Sequence, residues 1–236
     1  QSNIIKFVNK DRFKLIFLSP FETGFTKKLK KNGIDTIILD APERVNRYGG
    51  KNLRDGLIGR ITTIIKLIQY NLRLRPILKE KQINVVYCNS IRGVLTICLS
   101  ALLNRIPILW YIKGELNNTI LDTIGFILSS KILFFCESNK NDNYPILTHL
   151  FSKKIEILKI GIDGKIIKQI DQSDKLDLID ELCINKQKIN LVYTGQLYAP
   201  KGIHHLLEAI AIVRQDFPNL ILYIIGDHII DEYKEY

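Results

Sequence analysis

Short apolar runs rich in β-branched and aromatic residues recur along the chain and alternate with helical patterns. The runs lie at 13–19, 35–39, 83–88, 107–112, 132–136, 155–159, 190–195 and 220–226. Most of them lack the alternation of a strand with one wet face, so they are typical of strands covered on both sides. Strands that alternate with helices pair in parallel, because a parallel neighbour requires a long crossover connection. The sequence therefore predicts an α/β fold with parallel sheets.

The composition is that of a globular protein with room for one or two domains. Of its 236 residues, 46% are hydrophobic and 25% are charged. The longest uncharged runs, 93–104 and 189–200, have 12 residues, whereas a membrane-spanning helix needs about 20. The four cysteines are far apart in apolar surroundings, without a C-x-x-C pair, which predicts buried free thiols in a reducing compartment. We expect a cytoplasmic protein.

Positive charge is concentrated in the first part of the chain. Residues 1–150 carry 23 Lys and Arg against 11 Asp and Glu, whereas residues 151–236 carry 11 against 13. The imbalance indicates either an anionic partner for the first part or compositional drift in a chain rich in Ile, Lys and Asn. No motif combines basic residues with stacking aromatic residues, so we expect no nucleic-acid partner.

One predicted helix, between 53 and 81, combines an apolar face with many basic residues. The apolar face is formed by Leu57, Ile61, Ile64, Ile65, Ile68 and Leu72. The basic residues over much of the remainder are Arg54, Arg60, Lys66, Arg73, Arg75, Lys79 and Lys81. A helix of this kind can lie on an anionic membrane. The interpretation we favour is that its apolar face covers the sheet and that its basic face is solvated.

A polar and acidic segment, "DQSDKLDLIDE" at 171–181, separates the sixth predicted strand from the seventh. The charge balance changes at the same place, which is typical of a domain boundary. We place the first domain at 1–168, a linker expected to contain a short helix at 169–188, and the second domain at 189–236.

The segment after the seventh strand places a lysine at the start of a helix. The strand ends at Gly195, a loop follows, and Lys201 and Gly202 precede an apolar helical stripe. Ligands of open α/β sheets bind at the carboxyl ends of the strands, and the N–H groups of a helix N-terminus favour anions. The spacing is not that of a G-x-x-x-x-G-K-[ST] loop. From the residues alone, Lys201 is either a phosphate ligand or a solvated loop lysine.

The run G-Q-L-x-x-x-K-G-x-x-x-L-L-x-A from Gly195, followed by "FPNLILYIIGD", resembles the start of the C-terminal domain of GT4-like (group 1) glycosyltransferases. "EILKIGID" at 156–163 is similar to that family's crossover between domains. "GFTKKLKKNGIDTIIL", "INVVYCNS", "IPILWYIKGEL" and "SSKILFFCES" follow in the family's N-terminal order. The resemblance implies a GT-B fold of two Rossmann-like domains, the second stopping after its first β-α-β unit. It also implies that the family's opening strand would precede Gln1, with residues 2–9 as the tail of the first helix.

The resemblance implies a donor site at 195–202. Family members hold the diphosphate of a nucleotide sugar with a basic residue, usually arginine, and a following lysine. The corresponding positions in this sequence are Gln196 and Lys201. Gln196 departs from that pattern, because it donates hydrogen bonds without a charge. Gly195 and Gly202 match family glycines that leave room beside the phosphates.

In the first domain, the family often has a histidine just after the strand at 107–112. This sequence has Lys113 instead, followed by Gly114 and Glu115. Lys113 can stabilise a phosphate or an acceptor hydroxylate and Glu115 can orient it, so these two are the catalytic candidates. The candidates for the acceptor cleft follow neighbouring strands: Asn89, Ser90, Gly114 and Ser138. The alternative is that such polar residues only cap helices.

The function implied by the resemblance is retaining transfer of a sugar from a nucleotide diphosphate sugar to a glycan or lipid-linked acceptor, without a metal or other cofactor. The family completes its donor site with a later E-x7-E pair, and nothing after Asp227 supplies one, so we expect little activity from these residues alone. The basic first domain favours an anionic acceptor or peripheral contact with an anionic membrane at its inner face. The alternative is a non-enzymatic α/β module that binds a nucleotide or serves as a scaffold.

Overall fold

The computed structural model describes residues 2–42, 56–161, 164, 179, 184–185, 187–197 and 199–227. The chain divides into two compact units, Gln1–Ile162 and Asp163–Tyr236. Each unit is described by itself below. The predicted linker helix at 171–181 lies outside the described residues except for Ile179.

The first unit consists of parallel strands joined by helices. Its elements are α1 (Ser2–Phe7), β1 (Ile16–Ser19), α2 (Gly24–Lys31), β2 (Asp35–Ile38), α3 (Leu57–Glu80), β3 (Val86–Cys88), α4 (Ile91–Leu103), β4 (Ile108–Ile112), α5 (Thr119–Leu128), β5 (Lys131–Phe134), α6 (Glu137–Asp142), α7 (Pro145–Leu150), a 3-10 turn (Ser152–Lys154) and β6 (Ile155–Ile157). β1 pairs with β2, and β3, β4, β5 and β6 form a sheet in that order. Every strand pair in the described residues is parallel, which confirms the α/β prediction.

The second unit contains the β-α-β arrangement predicted from its motif. Its described elements are β7 (Ile189–Thr194), a 3-10 turn (Ala199–Lys201), α8 (Ile203–Asp216) and β8 (Leu220–Ile225). β7 and β8 are parallel, with Ile189 opposite Leu220 and Thr194 opposite Ile225. Each of the eight predicted apolar runs thus contains a strand.

The core of the first unit includes large apolar side chains from the sheet and from the helices that pack on it. Its fully buried members include Leu74, Val94, Trp110, Phe126, Ile132 and Phe134. The rings of Trp110 and Phe126 meet edge to face with their centroids 5.7 Å apart, a geometry that aromatic quadrupoles favour. Removing one buried aromatic side chain costs about 3–5 kcal/mol. This packing holds β3, β4 and β5, whose ends carry the candidate acceptor residues.

One buried amide joins α3 to α4. Asn71 Nδ2 donates to the Thr96 carbonyl at 2.9 Å, and Asn71 Oδ1 accepts from the Ser100 N–H at 2.9 Å and from the Ser100 hydroxyl at 2.8 Å. The Thr96 carbonyl and the Ser100 N–H are the two groups that bond each other in a regular helix. Asn71 is 2% exposed and Ser100 0%, so water cannot replace the amide. The interaction turns the Asn71 face of α3 towards the core.

This orientation shows that the favoured interpretation of α3 was wrong. Tyr70, Leu74 and Leu78 are buried with Asn71, whereas the supposed sheet-covering face is open to solvent. The exposed fractions of Ile61, Ile64, Ile65, Ile68 and Leu72 are 43–56%. The interpretation weighted apolar residues alone, and the buried face contains a polar residue whose bonding partners lie in another helix.

We expect Asn71→Ala to lower the free energy of unfolding by about 2–4 kcal/mol, because the Ser100 N–H and hydroxyl and the Thr96 carbonyl lose a buried partner. Urea denaturation followed by circular dichroism measures the change. Asn104→Ala is the matched control: Asn104, the residue that follows α4, donates through Nδ2 to the Arg75 carbonyl of α3 at 3.0 Å, at a more exposed place. Equal losses in the two variants would contradict the role given to Asn71.

Candidate functional site

In the first unit, the candidate residues follow the carboxyl ends of neighbouring strands. β3 ends at Cys88, which pairs with Trp110 of β4, and Ile112 at the end of β4 pairs with Phe134 at the end of β5. Carboxyl ends of parallel strands lie at one edge of the sheet, where open α/β folds bind their ligands. The structure therefore brings residues 89–90 and 113–115 to the same edge.

Ser90 has a structural role at this edge. Its hydroxyl oxygen accepts a hydrogen bond from the Gly93 N–H at 3.2 Å and caps α4. Ser138 lies in the first turn of α6, where Cys136 provides the cap by accepting from the Asn139 N–H at 3.4 Å. Asn89 and Ser138 are exposed. Helix capping, the alternative weighed from sequence, is thus what Ser90 does in the fold.

Lys113 and Glu115 are exposed and lie in the loop after β4. The Lys113 Nζ lies 5.1 Å from the centre of the Tyr111 ring, a cation–π contact. The Tyr111 hydroxyl donates to the Leu158 carbonyl at 2.7 Å, which fixes that ring. Within the described residues, no ion pair joins Lys113 to Glu115. The contact that orients Lys113 here is therefore the Tyr111 ring.

Two buried asparagines hold this loop, and the sequence analysis missed both. Asn139 Nδ2 donates to the Gly114 carbonyl at 3.0 Å, and the Leu116 N–H donates to Asn143 Oδ1 at 2.6 Å. Asn143 Nδ2 also donates to the Asn139 carbonyl at 2.6 Å. These bonds fix the backbone on both sides of Glu115. The available signal was a pair of asparagines four residues apart, directly after an apolar strand.

A buried carboxyl group continues this polar network at the start of α5. Asp122 is 1% exposed and accepts from the Asn118 N–H at 2.8 Å and from the Tyr144 hydroxyl at 3.2 Å. Asn118 Oδ1 accepts from the Leu121 N–H at 3.0 Å, so the start of α5 is capped reciprocally. Burial raises the pKa of the Asp122 carboxyl, and its two hydrogen bonds offset only part of that rise. The fold therefore disfavours the ionised form of Asp122.

In the second unit, the candidate donor residues lie at the carboxyl edge of β7 and β8. The Gly195 N–H donates to the Ile225 carbonyl at 3.0 Å, and the Leu197 N–H donates to the Asp227 carbonyl at 3.2 Å. The Gln196 carbonyl accepts from the Tyr193 hydroxyl at 3.1 Å. The backbone of Gln196 is therefore anchored, while the residue is exposed.

Lys201 and Gly202 form the turn into α8. Gly202 has φ 70° and ψ 26°, a left-handed conformation that glycine adopts without steric cost. As the residue that caps α8, it has no side chain with which to bind the first helical N–H groups. We call these N–H groups, with Gly202 and the exposed Lys201, the α8 corner. The positive end of the helix dipole and the positively charged Lys201 both favour an anion at the α8 corner.

Gly226 is a further residue that this edge requires. A Cβ added to Gly226 would lie 1.7 Å from the Gly195 carbonyl oxygen, so the two backbones approach too closely for any side chain. The sequence analysis quoted Gly226 in a motif but did not place it in the site. Its signal was a glycine at the end of a strand, where close backbone approach is a common reason for glycine.

The described residues hold no group of three or more His, Cys, Asp or Glu side chains that fits a metal ion. Among the same residues, no helix is both long enough and apolar enough to cross a membrane. Cys88 is a buried free thiol, as predicted, whereas Cys98 and Cys136 are free thiols that are only half-buried. Cys183 lies outside the described residues. Burial raises the pKa of Cys88 to about 12 and also raises that of Cys98, so both remain protonated at neutral pH.

Several solved structures share the fold of this chain. HepE of Anabaena, in complex with UDP-glucose, matches with a TM-score of 0.63 and 13% identity, over 93% of this chain and 55% of HepE. A glycosyltransferase of Rickettsia africae matches with a TM-score of 0.67 and 14% identity, over 93% of this chain and 53% of that one. A UDP-N-acetylglucosamine 2-epimerase of Rickettsia bellii matches with a TM-score of 0.51 and 13% identity, over 95% of this chain and 57% of the epimerase.

The chain is an α/β protein of the Rossmann-like, GT-B type, as these matches show and as predicted. It spans about half the length of the structures it matches. No protein-family model matches the sequence, and a search of curated proteins finds no match. The likeness extends to the fold and not to the reaction, since a transferase and an epimerase share it.

Asp122→Asn is expected to remove a pH dependence of stability. The pKa of Asp122 is higher in the fold than its usual value of 3.8, so the unfolded chain loses the proton first and stability falls as the pH rises through the folded-state pKa. Asparagine keeps an acceptor oxygen but does not titrate. We therefore expect the variant to gain stability relative to wild type between about pH 3.5 and pH 7 in urea denaturation. A difference in unfolding free energy between variant and wild type that is the same at about pH 3.5 and at about pH 7 would contradict this expectation.

Gly226→Ala is expected to destabilise the second unit by about 1–3 kcal/mol or more, because the new methyl group displaces the Gly195 backbone. Amide hydrogen exchange of β7 and β8 measures the loss. Gly164→Ala, where an added Cβ meets no atom of the described residues within 4 Å, is the control and should leave that exchange unchanged. Protection of Gly226→Ala equal to wild type would show that the close approach is not required.

Proposed function

We propose that the α8 corner binds the diphosphate of a nucleotide sugar. The observation that carries the proposal is the set of N–H groups at the start of α8, without a side-chain cap, beside exposed Lys201 at the carboxyl edge of β7. A charge-assisted hydrogen bond to phosphate contributes about 1.5–3 kcal/mol. The complex of HepE with UDP-glucose supports this class of ligand for the shared fold.

The proposed reaction is transfer of the sugar to an acceptor with retention of the anomeric configuration. In this proposal, Lys201 and the first N–H groups of α8 stabilise the charge that develops on the leaving diphosphate, which is what a metal ion does in other transferases. Gln196 adds hydrogen bonds without adding charge. The Rickettsia africae glycosyltransferase supports transfer as the reaction class.

We assign the acceptor, a glycan or a lipid-linked saccharide, to the edge of the first unit. The candidates there are Asn89, Ser90, Lys113, Gly114, Glu115 and Ser138. Support comes from the shared edge of β3 and β4 and from the two asparagines, Asn139 and Asn143, that fix the loop. A loop held by buried hydrogen bonds can position reacting groups, because its geometry is set before the substrate arrives.

Lys201→Ala is expected to weaken the binding of UDP or GDP by about 10-fold to 100-fold, the factor that corresponds to one lost charge-assisted bond. Isothermal titration calorimetry on the whole chain measures the affinity. Lys188→Ala is the matched control, because Lys188 is exposed and lies at the opposite, amino end of β7. Binding unchanged in Lys201→Ala would contradict the site, and no binding of either nucleotide by wild type would contradict the donor proposal.

A product assay then separates transfer from other nucleotide-sugar chemistry. With the full-length protein, UDP-sugars and GDP-sugars as donors, and glycan and lipid-linked acceptors, we expect labelled sugar on an acceptor and free nucleoside diphosphate. A changed nucleotide sugar without an acceptor product would indicate the chemistry named for the Rickettsia bellii epimerase. Binding without any product would favour the non-enzymatic module.

A further inference from the structure

Helix α3 carries a continuous apolar stripe that faces solvent. Its members, which we call the α3 stripe, are Ile58, Ile61, Ile65, Ile68 and Leu72, with exposed fractions of 43–83%. Successive members are three or four residues apart, so they lie along one side of the helix. The buried residues Tyr70, Leu74 and Leu78 lie on roughly the opposite side.

An apolar face turned to solvent is unusual for a helix that already buries another face. Such helices are normally polar on the side away from the core. Single exposed apolar side chains are common, but a contiguous row of them marks a surface that contacts something. The α3 stripe is a row of this kind.

The charges beside the stripe are mostly positive. From Leu57 to Lys79 the sequence contains no Asp or Glu, while Lys66, Arg73, Arg75 and Lys79 are exposed. The last residue of α3, Glu80, is an exposed carboxylate that lies beyond the stripe. Lys66 and Arg73 line one cavity of about 540 Å³ together with Leu72 of the stripe. Asp40 also lines this cavity, so two cations face one carboxylate there. The surface beside the stripe therefore favours an anionic partner.

An apolar helical stripe commonly contacts either a second copy of the helix or a lipid surface, and the charges beside it favour one of the two. Two copies of a helix pair best when residues beside the stripe carry opposite charges. Pairing two α3 helices would instead place basic residues next to basic residues. An anionic lipid surface suits both the apolar stripe and the basic residues beside it. The apolar side chains enter the acyl boundary, while lysine and arginine reach the headgroup phosphates.

We propose that α3 docks the first unit on an anionic lipid bilayer, with the α3 stripe inserted and with Lys66 and Arg73 contacting lipid phosphates. The proposal concerns a surface of the first unit and is independent of the nucleotide proposed for the second. Docking of this kind is peripheral and reversible, since the inserted area is one helix face.

Co-sedimentation with lipid vesicles tests the proposal on the whole chain. Wild type is expected to bind vesicles of phosphatidylcholine with about 30% phosphatidylglycerol at least about tenfold more strongly than pure phosphatidylcholine, and less strongly as salt increases. The triple variant Ile61→Asn, Ile65→Asn and Ile68→Asn is expected to lose at least about tenfold in binding to the anionic vesicles. Lys66→Glu with Arg73→Glu is expected to remove the preference for anionic lipid.

Each variant has a matched control with the same chemical change elsewhere in the first unit. Ile127→Asn with Ile146→Asn changes isoleucines that are 57% and 82% exposed on α5 and α7. Lys28→Glu with Lys31→Glu makes the same change of charge on exposed residues of α2. Both controls are expected to bind as wild type does, and urea denaturation verifies that every variant is folded.

Three outcomes would overturn the proposal. One is wild type that ignores the vesicles or binds neutral and anionic vesicles equally. Another is a loss of binding in the controls as large as in the α3 variants. The third is a wild type that is a dimer in analytical ultracentrifugation and does not bind vesicles, together with a triple variant that is a monomer. That result would assign the α3 stripe to a second copy of the chain.

Discussion

Two parallel strands cannot be joined by a tight turn, so the chain has to cross a sheet face between them, and a helix is the usual crossover. The crossing helices cover the sheet, which is why residues such as Trp110 and Phe134 are apolar and fully enclosed. The same pairing puts the carboxyl ends of neighbouring strands at one edge. The loop after β4 and the turn into α8 therefore lie at the carboxyl edges of their sheets as a consequence of strand direction. What distinguishes one protein of this fold from another is which side chains stand at those edges.

Buried amides set the positions that apolar packing leaves open. Apolar contacts are not directional, so they bury a surface without selecting one rotation of a helix or one path of a loop. An amide side chain has a donor and an acceptor in fixed directions, and burial favours a partner for each. Asn71 has both partners in backbone groups of α4, and Asn143 has them in the Leu116 N–H of the loop after β4 and the Asn139 carbonyl. Asn139 Nδ2 donates to the Gly114 carbonyl of that loop, while its Oδ1 has no hydrogen-bond partner among the described residues. These three residues specify geometry that the core alone would leave variable.

The orientation of α3 links this packing to the proposed docking surface. Asn71 bonds inside the unit with Tyr70, Leu74 and Leu78 around it, and the α3 stripe then faces outward. A helix that is apolar on two sides contributes to the core with one side and remains available for a partner with the other. If the acceptor is lipid-linked, a docking helix and an acceptor edge on the same unit would serve one task, although each proposal rests on its own observations.

Local pattern was sufficient for the strands and for the turn into α8. Apolar runs predicted the eight strands of the described residues. For β3, β4 and β5 the reason is burial, because most of their side chains are enclosed. The run of β7 also predicted its strand, although Ile189, Leu191 and Val192 are exposed. Lys201 and Gly202 were placed correctly because a strand end, a glycine and a helix start are consecutive in the chain. Gly226 was not recognised as a site residue, since the carbonyl that excludes its side chain belongs to Gly195 on the neighbouring strand.

Local sequence pattern could not predict which face of α3 packs into the core. Periodicity records which residues share a side of a helix, and it pointed to the apolar side. The buried side is instead the one that holds Asn71, whose partner Ser100 is 29 residues away and in another helix. A hydrogen bond between distant residues leaves no periodic trace in either segment, so only the folded arrangement decides which side of the helix is enclosed and which remains exposed.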